Sequence, residues 1–93
     1  MTQQQELYGR NDGIIERQVD GDIFLIDDRR GRIHALDQMG GGIWRLLEQP
    51  QPVQDIVAVF LAAFPGRKPR ELRRMVERFL NQLELDGLAA RLS

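Results

Sequence analysis

Cysteine is absent from the 93 residues. Its absence excludes a disulfide framework, a zinc–thiolate centre and a Cys nucleophile, and it accords with a reducing compartment. His34 is the only histidine, and hydroxyl side chains are confined to Thr2, Tyr8 and Ser93 near the two ends. A hydrolytic triad thus lacks a nucleophile beside its base. No catalytic residue, metal ligand or cofactor is assigned, and the chain is expected not to be an enzyme. The longest apolar run, Ile56 to Phe64, falls far short of the roughly 20 residues that span a bilayer. The opening MTQQQELYGR has no basic segment leading into an apolar stretch, so no signal peptide is read and a cytoplasmic location is expected, with no membrane partner. No GxxxxGK[ST] or post-strand GxGxxG marks a nucleotide loop. Asp20, Asp22, Asp27 and Asp28 surround two turns without EF-hand spacing, and they are read as turn chemistry.

What remains is ordinary globular composition, 42% hydrophobic and 29% charged, at a length that suits one domain. Thirteen bases face fourteen acids, and twelve of the thirteen are Arg. They are unevenly spread: residues 1–66 hold ten acids and six bases, residues 67–93 four acids and seven bases. The basic stretch is RKPRELRRMVER, and arginine favours bidentate contacts with carboxylate or phosphate.

Residues 1–11 read as a flexible polar tail ahead of a domain over 12–93. Ile14 to Val19 and Ile23 to Ile26 flank Asp20-Gly21, the dipeptide that suits a two-residue hairpin turn with positive φ at both positions. That turn sets Val19 opposite Asp22, Arg17 opposite Phe24 and Ile15 opposite Ile26. The second strand is apolar on both faces, which places it centrally. After DDRRGR, Arg32 to Leu36 returns as a third strand whose outer edge is open and free of Pro. Asp37 is a candidate N-cap for a helix reaching about Glu48, with Ile43, Trp44 and Leu47 inward. Gly40, Gly41 and Gly42 weaken it by about 1 kcal/mol each relative to Ala but permit close approach to the sheet. A second helix is predicted over about Pro52 to Phe64. A third opens at Pro69 and stops at Gly87, with Leu72, Met75, Val76, Phe79, Leu80 and Leu83 at helical spacing. Leu88 and Leu92 are expected to fold back on the core. The fold class is α+β, winged-helix-like: a three-stranded antiparallel β-meander followed by three α-helices.

Three stretches, VDGDIFLIDDRRGRIHALDQMGGGIW, VQDIVAVFLAAFPG and FLNQLELDGL, carry a resemblance in their order and spacing. From Val19 to Leu88 the chain resembles the PqqD-like family, whose fold is also called the RiPP precursor peptide recognition element. Asp37 stands where that family usually has Asn, and both residues cap helices. The resemblance implies a non-catalytic module. Such a module binds the leader segment of a ribosomally made precursor peptide and presents it to a modifying enzyme such as a radical SAM maturase or a leader peptidase. It also implies that the leader adds as a strand to the third strand, beside the third helix.

The residues support that placement on their own. Arg32, Ile33, His34, Ala35 and Leu36 offer the uncovered edge for strand addition. Leu72 and Val76 are expected to supply an apolar flank, and Arg70, Arg73 and Arg74 to meet acidic leader residues; Glu77 completes the expected peptide-binding set. Two other readings compete. A winged-helix nucleic-acid binder would use the Arg-rich helix, but a net charge of −1 opposes it, since phosphate attraction is a large share of DNA affinity. A homodimer could form through the same strand edge.

Overall fold

The computed structural model describes residues 6–92. Its elements are β1 (Leu7–Arg10), β2 (Ile14–Val19), β3 (Asp22–Asp27), β4 (Arg32–Leu36), α1 (Gln38–Leu46), β5 (Gln51–Pro52), α2 (Val53–Ala63), α3 (Pro69–Leu85) and β6 (Ala89–Leu92). The class is α+β; the winged-helix likeness is loose, because the strands lead and the helices follow.

The meander β2–β3–β4 forms as the turn chemistry dictates. Asp20 and Gly21 have φ of 52° and 86°, the type I′ signature that matches strand twist. The register pairs Val19 with Asp22, Arg17 with Phe24 and Ile15 with Ile26. β3 lies centrally and β4 at one margin. Ile23, Leu25 and Asp27 of β3 are buried, while Phe24 and Ile26 on its other face are only half-buried.

A second antiparallel sheet, ordered β5–β1–β6, corrects the reading of residues 1–11 as a tail. Leu7–Arg10 is a strand with Tyr8 and Gly9 buried, paired with β6 from Leu7↔Leu92 to Arg10↔Ala89. Residues 1–5 of the expected tail lie outside the described residues. The chain after α3 does return to the core, but as a strand: Leu88 and Ala89 are buried, whereas Leu92 stays 41% exposed.

The helices knit the two sheets together. Asp37 caps α1 as expected, its Oδ1 accepting from the Gly40 amide at 2.7 Å. The triple glycine lets α1 sit at the centre of the molecule. A Cβ on Gly40 would meet the Phe79 ring of α3 at 2.8 Å, on Gly41 Ile23 of β3 at 3.0 Å, and on Gly42 Phe60 of α2 at 3.2 Å. α2 starts at Val53 behind Pro52, whose side chain makes no capping hydrogen bond. α3 has Pro69 in its first turn and Glu71 near its positive end, where a carboxylate is favourable. One row of α3 (Leu72, Val76, Leu80 and Leu83) packs into the core with Leu25, Ile43, Trp44 and Ile56.

α3 ends in a Schellman motif: the Leu88 amide donates to the Leu83 carbonyl at 2.8 Å and that of Gly87 to Glu84 at 3.0 Å. Gly87 sits at φ 73°, and a Cβ there would run into the Arg30 guanidinium. That guanidinium bridges the Asp86 carbonyl and the carboxylate of buried Asp27. Gly87→Ala adds left-handed strain and displaces Arg30. It is expected to cost about 1–2 kcal/mol, read as a lower urea midpoint; an unchanged midpoint would reject this account of the corner.

Candidate functional site

The open margin of the meander is the first component. In a two-residue hairpin Val19 and Asp22 form the hydrogen-bonded pair that closes the turn, and such pairs alternate along the ladder. Carried across β3, that alternation directs the backbone groups of Arg32, His34 and Leu36 toward β3, where they oppose Asp27, Leu25 and Ile23. The N–H and C=O of Ile33 and Ala35 therefore face outward from the sheet, with no neighbouring strand among the described residues. Ile33 is 69% exposed, Arg32 and Ala35 are exposed, and Leu36 is buried.

The second component is a cleft between α1 and α3 that starts at Asp37, the residue directly after β4. A cavity of about 350 Å³ lies there, lined chiefly by Met39, Ile43, Met75, Phe79, Arg78 and Gln82. Asp37 and Met39 continue into a neighbouring apolar hollow of about 310 Å³ beside Phe60 and Phe64, whose rings stack at 6.3 Å. Near the other end of the cleft, His34 of β4 is half-buried, with Nδ1 3.8 Å from the Asp86 carboxylate. Gln82 donates to that carboxylate at 3.2 Å. His34 Nε2 is buried without a partner among the described residues.

The third component lies on the opposite flank of α3. Arg73, Glu77 and Asn81 face Tyr8 and Arg91 around a polar cavity of about 340 Å³. Arg73 pairs with Glu77 at 3.8 Å. Arg91 pairs with Glu84 at 3.0 Å and Glu6 at 3.1 Å, and its guanidinium lies 5.5 Å from the Tyr8 ring centroid. Burial raises the Tyr8 pKa above its ordinary value, while the Arg91 charge pulls against that rise.

The residues expected to bind peptide thus separate into groups. Arg32 to Leu36 lie together on the open strand. Leu72 and Val76 are fully buried core residues and cannot form the apolar flank; Met75 and Phe79, one position round the helix, line the cleft instead. Arg73 and Glu77 lie across α3 from β4 and correct the expectation that they face the same groove. Arg70 and Arg74 are exposed on α3. Arg78, not singled out from the sequence, stands at the cleft, and its place in the row with Met75 and Gln82 was the available signal. Among the described residues no group of His or acidic side chains is arranged to hold a metal ion, and no helix is long and apolar enough to cross a membrane.

Comparison with known proteins follows the same outline. The family model for PqqD, coenzyme PQQ synthesis protein D, matches residues 22–89. The chain is similar to the solved structure of TbiB1 in complex with the TbiA(beta) leader peptide, with TM-score 0.79 and 25% identity over 87% of this chain and 93% of that one. It is also similar in fold to lasso peptide synthetase B1 complexed with the leader peptide, with TM-score 0.75 and 21% identity over 89% and 96%. A search of curated proteins finds no match.

Proposed function

Because the chain belongs to the PqqD family, we propose that it is a non-catalytic adaptor that takes the leader of a ribosomally made precursor peptide as an added strand on β4. It then presents that peptide to a modifying enzyme, a radical SAM maturase or a leader peptidase, in the cytoplasm. The observation that carries this reading is the outward-facing backbone of Ile33 and Ala35 beside the apolar cleft of Met39, Met75 and Phe79. Strand addition suits such an edge. The similar TbiB1 and lasso peptide synthetase B1 structures, both leader-peptide complexes, favour the same reading.

Magnitudes explain why both components are needed. Hydrogen bonds at two edge residues contribute about 0.5–1.5 kcal/mol each, and ordering a flexible peptide costs about 2–5 kcal/mol. Backbone pairing alone then nets close to zero, so apolar burial in the cleft must supply the affinity. Of the arginines, Arg78 is the one placed to meet an acidic leader residue at the cleft. The nucleic-acid reading is not favoured: Arg73 and Arg78 lie on opposite flanks of α3, and its core row is committed to packing.

The test is titration with a synthetic leader peptide, taken from a precursor gene where one adjoins this chain's own, following backbone amides. Shifts should concentrate at residues 33–35, 39, 75 and 79. Phe79→Ala is expected to weaken binding about tenfold or more, equivalent to about 1.4 kcal/mol, with a cooperative melt retained. Arg73→Ala should leave affinity within twofold. Affinity kept in folded Phe79→Ala but lost in Arg73→Ala would return the peptide to the Arg73 flank and reject the cleft.

A further inference from the structure

An edge that receives a strand also selects it, through the side chains that flank the backbone pairing. On β4 the register leaves Ile33 and Ala35 to pair outward, while the backbone of His34 is directed at Leu25. A leader added antiparallel, the slightly stronger arrangement, therefore meets His34 as a non-hydrogen-bonded pair. Such pairs stand closest, with Cα atoms about 4.5 Å apart and both side chains on one face of the sheet. For His34 that is the inner face, because its partner Leu25 is fully buried.

The imidazole has one nitrogen engaged and one idle. Nδ1 is turned to Asp86, 3.8 Å from the carboxylate, and Gln82 donates to the same carboxylate at 3.2 Å. A carboxylate on that side favours the neutral ring with its proton on Nδ1, which leaves Nε2 an acceptor. Nε2 is buried without a partner among the described residues, and a buried acceptor without a donor is destabilising until one arrives. The side chain keeps 20% of its surface exposed. A modest turn about χ2, a broad torsion, brings Nε2 to the margin.

We propose that His34 selects the leader: Nε2 accepts a hydrogen bond from a serine or threonine hydroxyl at the leader position paired with His34. The leader residue two places earlier stands opposite Leu36, is apolar, and enters the cleft that starts at Asp37. This inference rests on the leader-binding reading and deepens it. Short side chains suit so close a pair, and threonine suits a strand. Gln82 keeps a second N–H that Asp86 does not use, a donor for the hydroxyl oxygen. A valine there would leave Nε2 unmet. A lysine or arginine would carry its charge past Nε2 to Asp86, and an acidic residue would be repelled by that carboxylate.

The experiment uses the full chain and a synthetic leader peptide. The leader position paired with His34 is located in the complex by its Hα–Hα contact, which a non-hydrogen-bonded pair brings close. Peptides with Thr, Val or Lys at that position are titrated by fluorescence anisotropy at about pH 8, above the ordinary histidine range. With wild type, Thr should bind about tenfold more tightly than Val or Lys. One position along, where the side chain turns outward, Thr and Val should agree within twofold. In His34→Phe, which keeps a ring but no acceptor, Thr and Val should agree within twofold at the paired position as well. His34→Leu replaces that variant if its urea melt shows the phenyl ring is not accommodated. A long-range proton–nitrogen spectrum of the free protein should place the imidazole proton on Nδ1. A Thr preference that survives in the folded variant, or is absent from wild type, overturns the proposal. So does Lys as the tightest binder, or a proton on Nε2. If wild type takes up no leader at all, the leader reading falls and this inference with it; leader uptake with amide shifts at residues 33–35 but no Thr preference ends this inference alone.

Discussion

Ala35→Pro is expected to abolish detectable leader binding, a loss of at least a hundredfold, while the domain remains folded. The register decides both halves of that outcome. The Ala35 amide points away from β3, so losing it breaks no bond of the meander, and edge strands tolerate proline for that reason. The preceding residue is already extended, as proline prefers. For an incoming strand the same change removes a donor and sets the ring where a leader carbonyl would approach. A hundredfold loss is about 2.7 kcal/mol, more than one hydrogen bond and consistent with the added clash. Isothermal titration measures the loss; circular dichroism and a urea melt check the fold. His34→Pro is the matched contrast. Its amide faces Leu25 across the ladder, so that variant should lose stability as well as binding. Affinity within threefold of wild type in folded Ala35→Pro would remove β4 as the docking strand.

Trp44→Ala is expected to carry the largest stability cost, about 3–5 kcal/mol. The indole is 1% exposed, and its Nε1 donates to Glu16 at 2.9 Å. The Arg10 guanidinium lies 4.4 Å from the ring centroid and donates to the Trp44 carbonyl at 2.6 and 3.1 Å. One residue thus joins β1, β2 and α1. Truncation leaves a cavity, takes the indole donor from Glu16 and removes the ring beneath Arg10, whose bonds to the residue-44 carbonyl remain. A domain of this length has roughly 5–14 kcal/mol in total, so the variant should sit near the edge of folding. Trp44→Phe, which keeps most of the volume, should lose distinctly less. A urea-derived loss under about 1 kcal/mol for Trp44→Ala would contradict the packing described.

The meander and its exposed margin were legible in the sequence because their signals are local. Asp20-Gly21 fixes a turn, the turn fixes the register, and Asp37 marks where the strand gives way to a helix. The second sheet was not legible. LYGR is four residues with no alternation, and it pairs with β6 more than 75 residues away; nothing nearby announces such a partner. The division of α3 was half legible. Helical spacing identifies an apolar stripe, but Leu72, Val76, Leu80 and Leu83 and the adjoining Met75 and Phe79 make it wider than one packing surface needs. Which row lies innermost depends on where α1 and α2 press against it, and the triple glycine that lets α1 come so close gives a permission rather than a position. The arginines misled for the same reason: Arg73 and Arg78 are near in sequence yet fall on opposite flanks of one cylinder.

Leu7 and Leu92 are direct cross-strand partners, about 5 Å apart at their Cα atoms as in any antiparallel pair. Entry and exit points this close make the unit a cassette. It could be spliced into a surface loop of a larger host, or hung from either end, with little change in the direction its receiving rim faces.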